Sequence, residues 1–249
     1  MEIIFFESIF FLAAWYFQFL IPHGYGWYSK SIMILLGIIA IILHGKPYEY
    51  GLIPHNIKFN LKWILRIILL FSSTLIIFII ASFIMGEFKF TDLRVMLIDL
   101  IWFFIFVGFA EELFFRGYVQ SRLNEVFTRK YEKILWVKFN WTQGTLVAGI
   151  FFFGLPHILV AVNPFMGRIS LSPIIIMISL FACFIGVILG VIRERVGDII
   201  LPTVIHGLID FVNFSFSKMI GFMLSSIATS LALFLFFLFF FEKLLTEIQ

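Results

Sequence analysis

The chain has 249 residues, of which 62% are hydrophobic and 13% charged, with 36 phenylalanines and a formal net charge of +3. Soluble domains run at roughly 45–50% apolar and about 25% charged, so this composition excludes a disordered chain and argues against an ordinary soluble domain. The small positive excess fits the cytoplasmic loops of a membrane protein, and no nucleic-acid partner is expected.

A transmembrane helix needs about 20 apolar residues, and runs of that length follow one another along the chain. Residues 3–21 lack the basic start of a signal peptide and include Glu7, so they read as a first span rather than a leader. Residues 27–44 form a second run, and residues 67–85 a third without any charge. Residues 95–115 carry Asp99 near one end and Glu111 and Glu112 near the other. Residues 144–162 carry only His157, residues 171–192 no charge, and residues 199–217 hold His206 and Asp210. Residues 219–241 are uncharged and end in a phenylalanine block. Runs of this length favour helices over the alternating strands, about ten residues long, of a membrane barrel. The expected fold class is an all-α membrane protein: about eight transmembrane helices in one polytopic bundle within the lipid bilayer. A single membrane-embedded domain over residues 1–249 is the simplest organisation, with residues 95–217 as its chemical core. The lone cysteine, Cys183, cannot form an internal disulfide or a thiolate metal site and reads as a buried structural thiol.

With eight spans, the Lys and Arg residues of the loops divide eleven to five in favour of the side that holds both termini. The positive-inside rule then puts the termini in the cytoplasm, facing the inside of the plasma membrane if the source is prokaryotic. The longest hydrophilic connection runs from about 117 to 143. Its segment YEKILWVKFNWTQ interleaves Lys with Trp136 and Trp141, which suggests a segment lying on the membrane surface.

A charge at membrane depth costs about 2.5–3.5 kcal/mol on insertion scales, so such residues usually mark function. They fall in three places. In GFAEELFFRGY, Glu112 and Arg116 are four apart and share a helix face. Glu111 is turned roughly 100° away, which leaves an unpaired second carboxylate beside an ion pair. In FFFGLPHILVAV, Pro156 frees a carbonyl and re-aims His157. In LPTVIHGLIDFVNF, His206, Asp210 and Asn213 share one stripe. Two histidines with one or two carboxylates suit Zn²⁺ or another divalent metal. They suit metal-free water activation equally, with Glu as general base and His as proton-transfer partner. Attack of an activated water on a carbonyl is the chemistry common to both. No GxSxG, HExxH or Cys–His arrangement is present.

EELFFR at 111–116, FGLPH at 153–157 and HGLID at 206–210 resemble, in order, the EExxxR, FxxxH and HxxxN/D motifs of the intramembrane CAAX-prenyl-protease and bacteriocin-processing family. The resemblance covers about residues 95–215. It implies a membrane endopeptidase that cuts near the cytoplasmic face, on a peptide or prenylated protein substrate. It also implies roles: Glu111 activates water with His157 beside it, while His206 and the residue at 210 hold the carbonyl and the developing oxyanion. Glu112 and Arg116 support the site. If a metal is used, Glu111, His157, His206 and Asp210 are its ligands. The prenyl-protease branch carries Asn where this chain has Asp210. An amide donates to an oxyanion, whereas an ionised carboxylate cannot. Asp210 is therefore expected to ligate a metal or orient His206, with Asn213 one turn on as a substitute amide. Two alternatives stand beside this reading. One is a bacteriocin-maturation or self-immunity protein of the same family. The other is a transporter or proton pathway, which the absence of inverted repeats disfavours.

Overall fold

The structure, a computed structural model, describes residues 1–247. Among them are eight helices long and apolar enough to cross a membrane. They are α1 (Glu2–Leu20), α2 (Trp27–His44), α3 (Ile57–Ile84), α4 (Leu93–Val126), α5 (Gln143–Ala161), α6 (Pro173–Val196), α7 (Ile200–Ile220) and α8 (Phe222–Thr246). The protein is thus the expected all-α polytopic membrane protein. Large apolar residues such as Leu69, Ile76 and Ile80 on α3 and Ile174, Met177 and Leu180 on α6 are exposed. That is the pattern of a helix whose outer face meets lipid.

Helix α4 differs from its expected extent, running to Val126 instead of ending near residue 115. The polar residues that suggested a loop are accommodated inside. Gln120 donates to Thr145 Oγ1 at 2.8 Å and to the Gly190 carbonyl at 3.0 Å, and Ser121 Oγ accepts from Arg193 at 2.8 Å. The expected surface segment is a β-hairpin, β1 (Lys130–Ile134) with β2 (Val137–Thr142). A short ribbon, β3 (Val162–Asn163) with β4 (Arg168–Ile169), follows α5.

The three motif helices are not uniformly wound. Helix α4 takes the wider π form over Trp102–Phe109 and again over Glu112–Gln120, so Glu111 sits at the junction. Helix α5 is π-wound over Ala148–Gly154 and then tightens to a 3₁₀ turn over Leu155–Ala161, where Pro156 and His157 lie. In α7 the ordinary α form ends at Asp210 and a π stretch follows over Phe211–Ser215. Such departures cluster where side chains must be re-aimed.

Two compact units divide the chain. The first comprises Met1–His55 and Ala110–Ile199. Here α5 and α6 approach through glycine: a Cβ at Gly149 would fall 2.6 Å from Val187 N, and one at Gly154 would fall 2.4 Å from Cys183 Cα. Small residues permit such backbone contact in membranes. Cys183 itself is half-buried rather than buried, its thiol 3.7 Å from the Ile150 carbonyl. Glu194 on α6 accepts from Thr142 N at 3.0 Å and from Asn124 at 3.2 Å, which ties the end of β2 to the helices. The second unit comprises Asn56–Phe109 and Ile200–Gln249. In it the Gly207 position abuts the Phe104 ring, with 2.8 Å available to a Cβ. Asp99, fully buried, accepts from Ser215 Oγ and from Lys218 Nζ, each at 2.6 Å.

Candidate functional site

In the first unit, Glu112 and Arg116 form the expected ion pair, at 3.1 Å with both side chains almost fully buried. The i,i+4 relation survives the wider winding. The Arg116 guanidinium also stands 3.9 Å from the centre of the Phe153 ring and donates to the Gly186 carbonyl at 3.3 Å. One cation therefore joins the EExxxR segment of α4, the FxxxH segment of α5 and α6. Phe115 meets Phe153 edge-on at 5.3 Å.

Phe153 fixes the histidine of its own motif as well. His157 Nδ1 lies 2.8 Å from the Phe153 carbonyl. A carbonyl only accepts, so Nδ1 carries the proton, and in the neutral ring Nε2 is the acceptor nitrogen. The 3₁₀ turn begun at Leu155, with Pro156 next in it, carries this geometry.

Glu111 is not the unpaired carboxylate that its spacing suggested. It accepts a hydrogen bond from Lys30 Nζ, a salt bridge reaching across from α2. Pairing of this kind is how ionisable groups are tolerated at membrane depth. Glu111, Lys30 and His157 all line one cavity of about 550 Å³. Its remaining wall is largely aromatic, with Phe10, Trp15, Trp27 and Tyr28 contributing. A mostly apolar cleft with a few convergent polar groups is the usual form of a ligand site.

In the second unit, His206 Nε2 stands 3.5 Å from Asp210 Oδ2 on the same helix. Asn213 accepts at its side-chain oxygen from Ser226 Oγ at 2.8 Å, which engages it with α8. The expected stripe is therefore split: His206 pairs with Asp210, and Asn213 turns to a serine. Among the described residues, no group of three or more His, Cys, Asp or Glu side chains could hold a metal ion.

Residues 93–212 match the family described as Type II CAAX prenyl endopeptidase Rce1-like. That match, over the part of the chain that carries the three motifs, supports the family resemblance. The matched stretch holds Glu111, Glu112, Arg116, His157, His206 and Asp210, while Asn213 lies just beyond it. The match together with the eight apolar helices supports an intramembrane protease in class. No curated protein and no solved structure matches it.

Sequence reasoning passed over Lys30 and Phe153. Lys30 stands near the start of an apolar run and counts there as a loop cation. Phe153 is one of 36 phenylalanines, distinguished only as the first letter of FxxxH.

Proposed function

We propose that this chain is an endopeptidase in which Glu111 activates a water molecule against the substrate carbonyl, with His157 beside it. The observation that carries the reading is that both side chains line the same aromatic cavity of the first unit. As the water oxygen bonds to the carbonyl carbon, its proton passes to the Glu111 carboxylate. The acceptor nitrogen of His157 orients the same water. Collapse of the tetrahedral intermediate breaks the C–N bond, and the proton held by Glu111 goes to the departing amine. Glu112 and Arg116 position this machinery through Phe153.

By the resemblance of its motif, His206 is assigned the donation to the developing oxyanion, with Asp210 orienting it. Within that assignment the donor is His206 and not its neighbour, because an ionised carboxylate cannot itself donate to an oxyanion. The family's description supports a CAAX-type prenylated protein as substrate, and an aromatic cavity suits an apolar chain beside a peptide. The loop-charge bias supports cleavage near the cytoplasmic face.

The test combines cleavage of a prenylated peptide and an unmodified one by wild type and Glu111→Gln with metal analysis of both proteins. Cleavage of the prenylated peptide that disappears in Glu111→Gln, at unchanged metal content, is the expected result. Cleavage that survives the substitution overturns Glu111 as the base.

A further inference from the structure

The hairpin between α4 and α5 joins the ends of two spanning helices, so it lies at a membrane face whichever way the chain is oriented. Its loop is two residues, because Ile134 pairs with Val137. Leu135 has φ of 53° and is the non-glycine residue with positive φ among those described. A positive φ at only the first loop position is the pattern that favours glycine there. The chain instead places a bulky leucine, 42% exposed, followed by Trp136, 52% exposed. Backbone strain of this kind is retained where the side chain serves a purpose.

Charge supplies the second, independent observation. Lys133 is the direct cross-strand partner of Lys138. Like charges placed opposite each other destabilise a ladder, and both side chains are exposed. Arg129 and Lys130 extend the cationic surface at the open end, against Glu132 as the hairpin's own acid. Behind this surface, Ile134, Val137 and Trp141 are buried, and the Trp141 indole donates to the Lys133 carbonyl at 3.0 Å. The hairpin is thus anchored on one side and presents lysines and an apolar tip on the other.

We propose that this hairpin is a docking surface for anionic phospholipid headgroups of the membrane that the chain spans. A phosphodiester seated between Lys133 and Lys138 converts their repulsion into attraction to a shared anion. Leu135 and Trp136 enter the interfacial layer below the headgroups, where indole rings are favoured. The lipid is favoured over an acidic protein partner because an apolar tip flanked by cations matches an acyl layer capped by anions.

The experiment uses the full chain in detergent, with native mass spectrometry counting bound phosphatidylglycerol and phosphatidylcholine during titration. Wild type is expected to retain phosphatidylglycerol preferentially. A lysine near an anionic surface is worth about fivefold in binding, so Lys133→Gln/Lys138→Gln should weaken phosphatidylglycerol retention roughly thirtyfold and leave phosphatidylcholine unchanged. Lys138→Glu provides a variant that keeps the hairpin, since it places opposite charges across the ladder, and it should lose the preference equally. Equal retention of the two lipids by wild type, or an unchanged preference in Lys138→Glu, overturns the proposal. So does an acidic peptide that binds wild type, is lost in Lys138→Glu and is not displaced by phosphatidylglycerol.

Discussion

Replacing Arg116 by Met tests the claim that one buried cation holds the first unit's motif helices together. The arginine is 2% exposed, and its partner Glu112 is 0% exposed. Removing one member of a buried pair leaves the other charge uncompensated and costs about 3–5 kcal/mol. The face of Phe153 at 3.9 Å loses its cation too, an interaction worth about 2 kcal/mol when desolvated. Since the lone Glu112 dominates the loss, about 3–5 kcal/mol is the expected total. For a chain of this size each kcal/mol lowers Tm by roughly 2–4 °C, so Arg116→Met should melt about 6–20 °C below wild type in detergent. Arg116→Lys keeps the charge but not the planar stacking surface, and it should fall between the two. Glu112→Leu/Arg116→Met replaces both charges by apolar groups and should recover most of the loss, because such a replacement of a whole buried pair is often neutral. An Arg116→Met protein melting within about 2 °C of wild type, or a double variant no better than the single, would refute the reasoning.

The remaining predictions concern the cavity, a helix crossing and the second unit. Lys30→Met removes the cation from which Glu111, 9% exposed, accepts and should cost up to about 3–5 kcal/mol. Adding Glu111→Gln should restore thermal stability without restoring peptide cleavage. Gly154→Ala forces a methyl to within 2.3 Å of Cys183 Sγ and 2.4 Å of its Cα. Backbone cannot yield as a flexible side chain can, so destabilisation should reach the upper end of the usual overpacking range, about 3 kcal/mol, measured as a fall in Tm. Asp210→Asn should retain peptide cleavage, because an amide oxygen can still accept from His206, whereas Asp210→Leu should lose it. A dead Asp210→Asn enzyme would show that charge, not orientation, is what position 210 contributes.

How much of this was legible in the sequence follows from the range of each interaction. Spans are legible because twenty apolar residues in a row carry the signal locally, and α2 begins and ends at Trp27 and His44 as read. The Glu112–Arg116 pair is legible because i,i+4 neighbours meet whatever the rest of the fold does. The end of α4 is not legible because Gln120 and Ser121 look like loop residues until Thr145, Gly190 and Arg193 arrive from α5 and α6 to satisfy them. The hairpin was obscured by the irregular pairing between Tyr131 and Lys133, which breaks the two-residue alternation that marks a strand. The Lys30–Glu111 pair joins residues 81 apart, and no local pattern reports it. Yet what distinguishes Glu111 distinguishes Lys30 equally. Each is a charge set in an apolar run, each needs a partner at membrane depth, and Arg116 already serves Glu112. Glu111 therefore required a cation from another span, and Lys30 was a candidate that needed only to be counted as a buried charge instead of a loop charge.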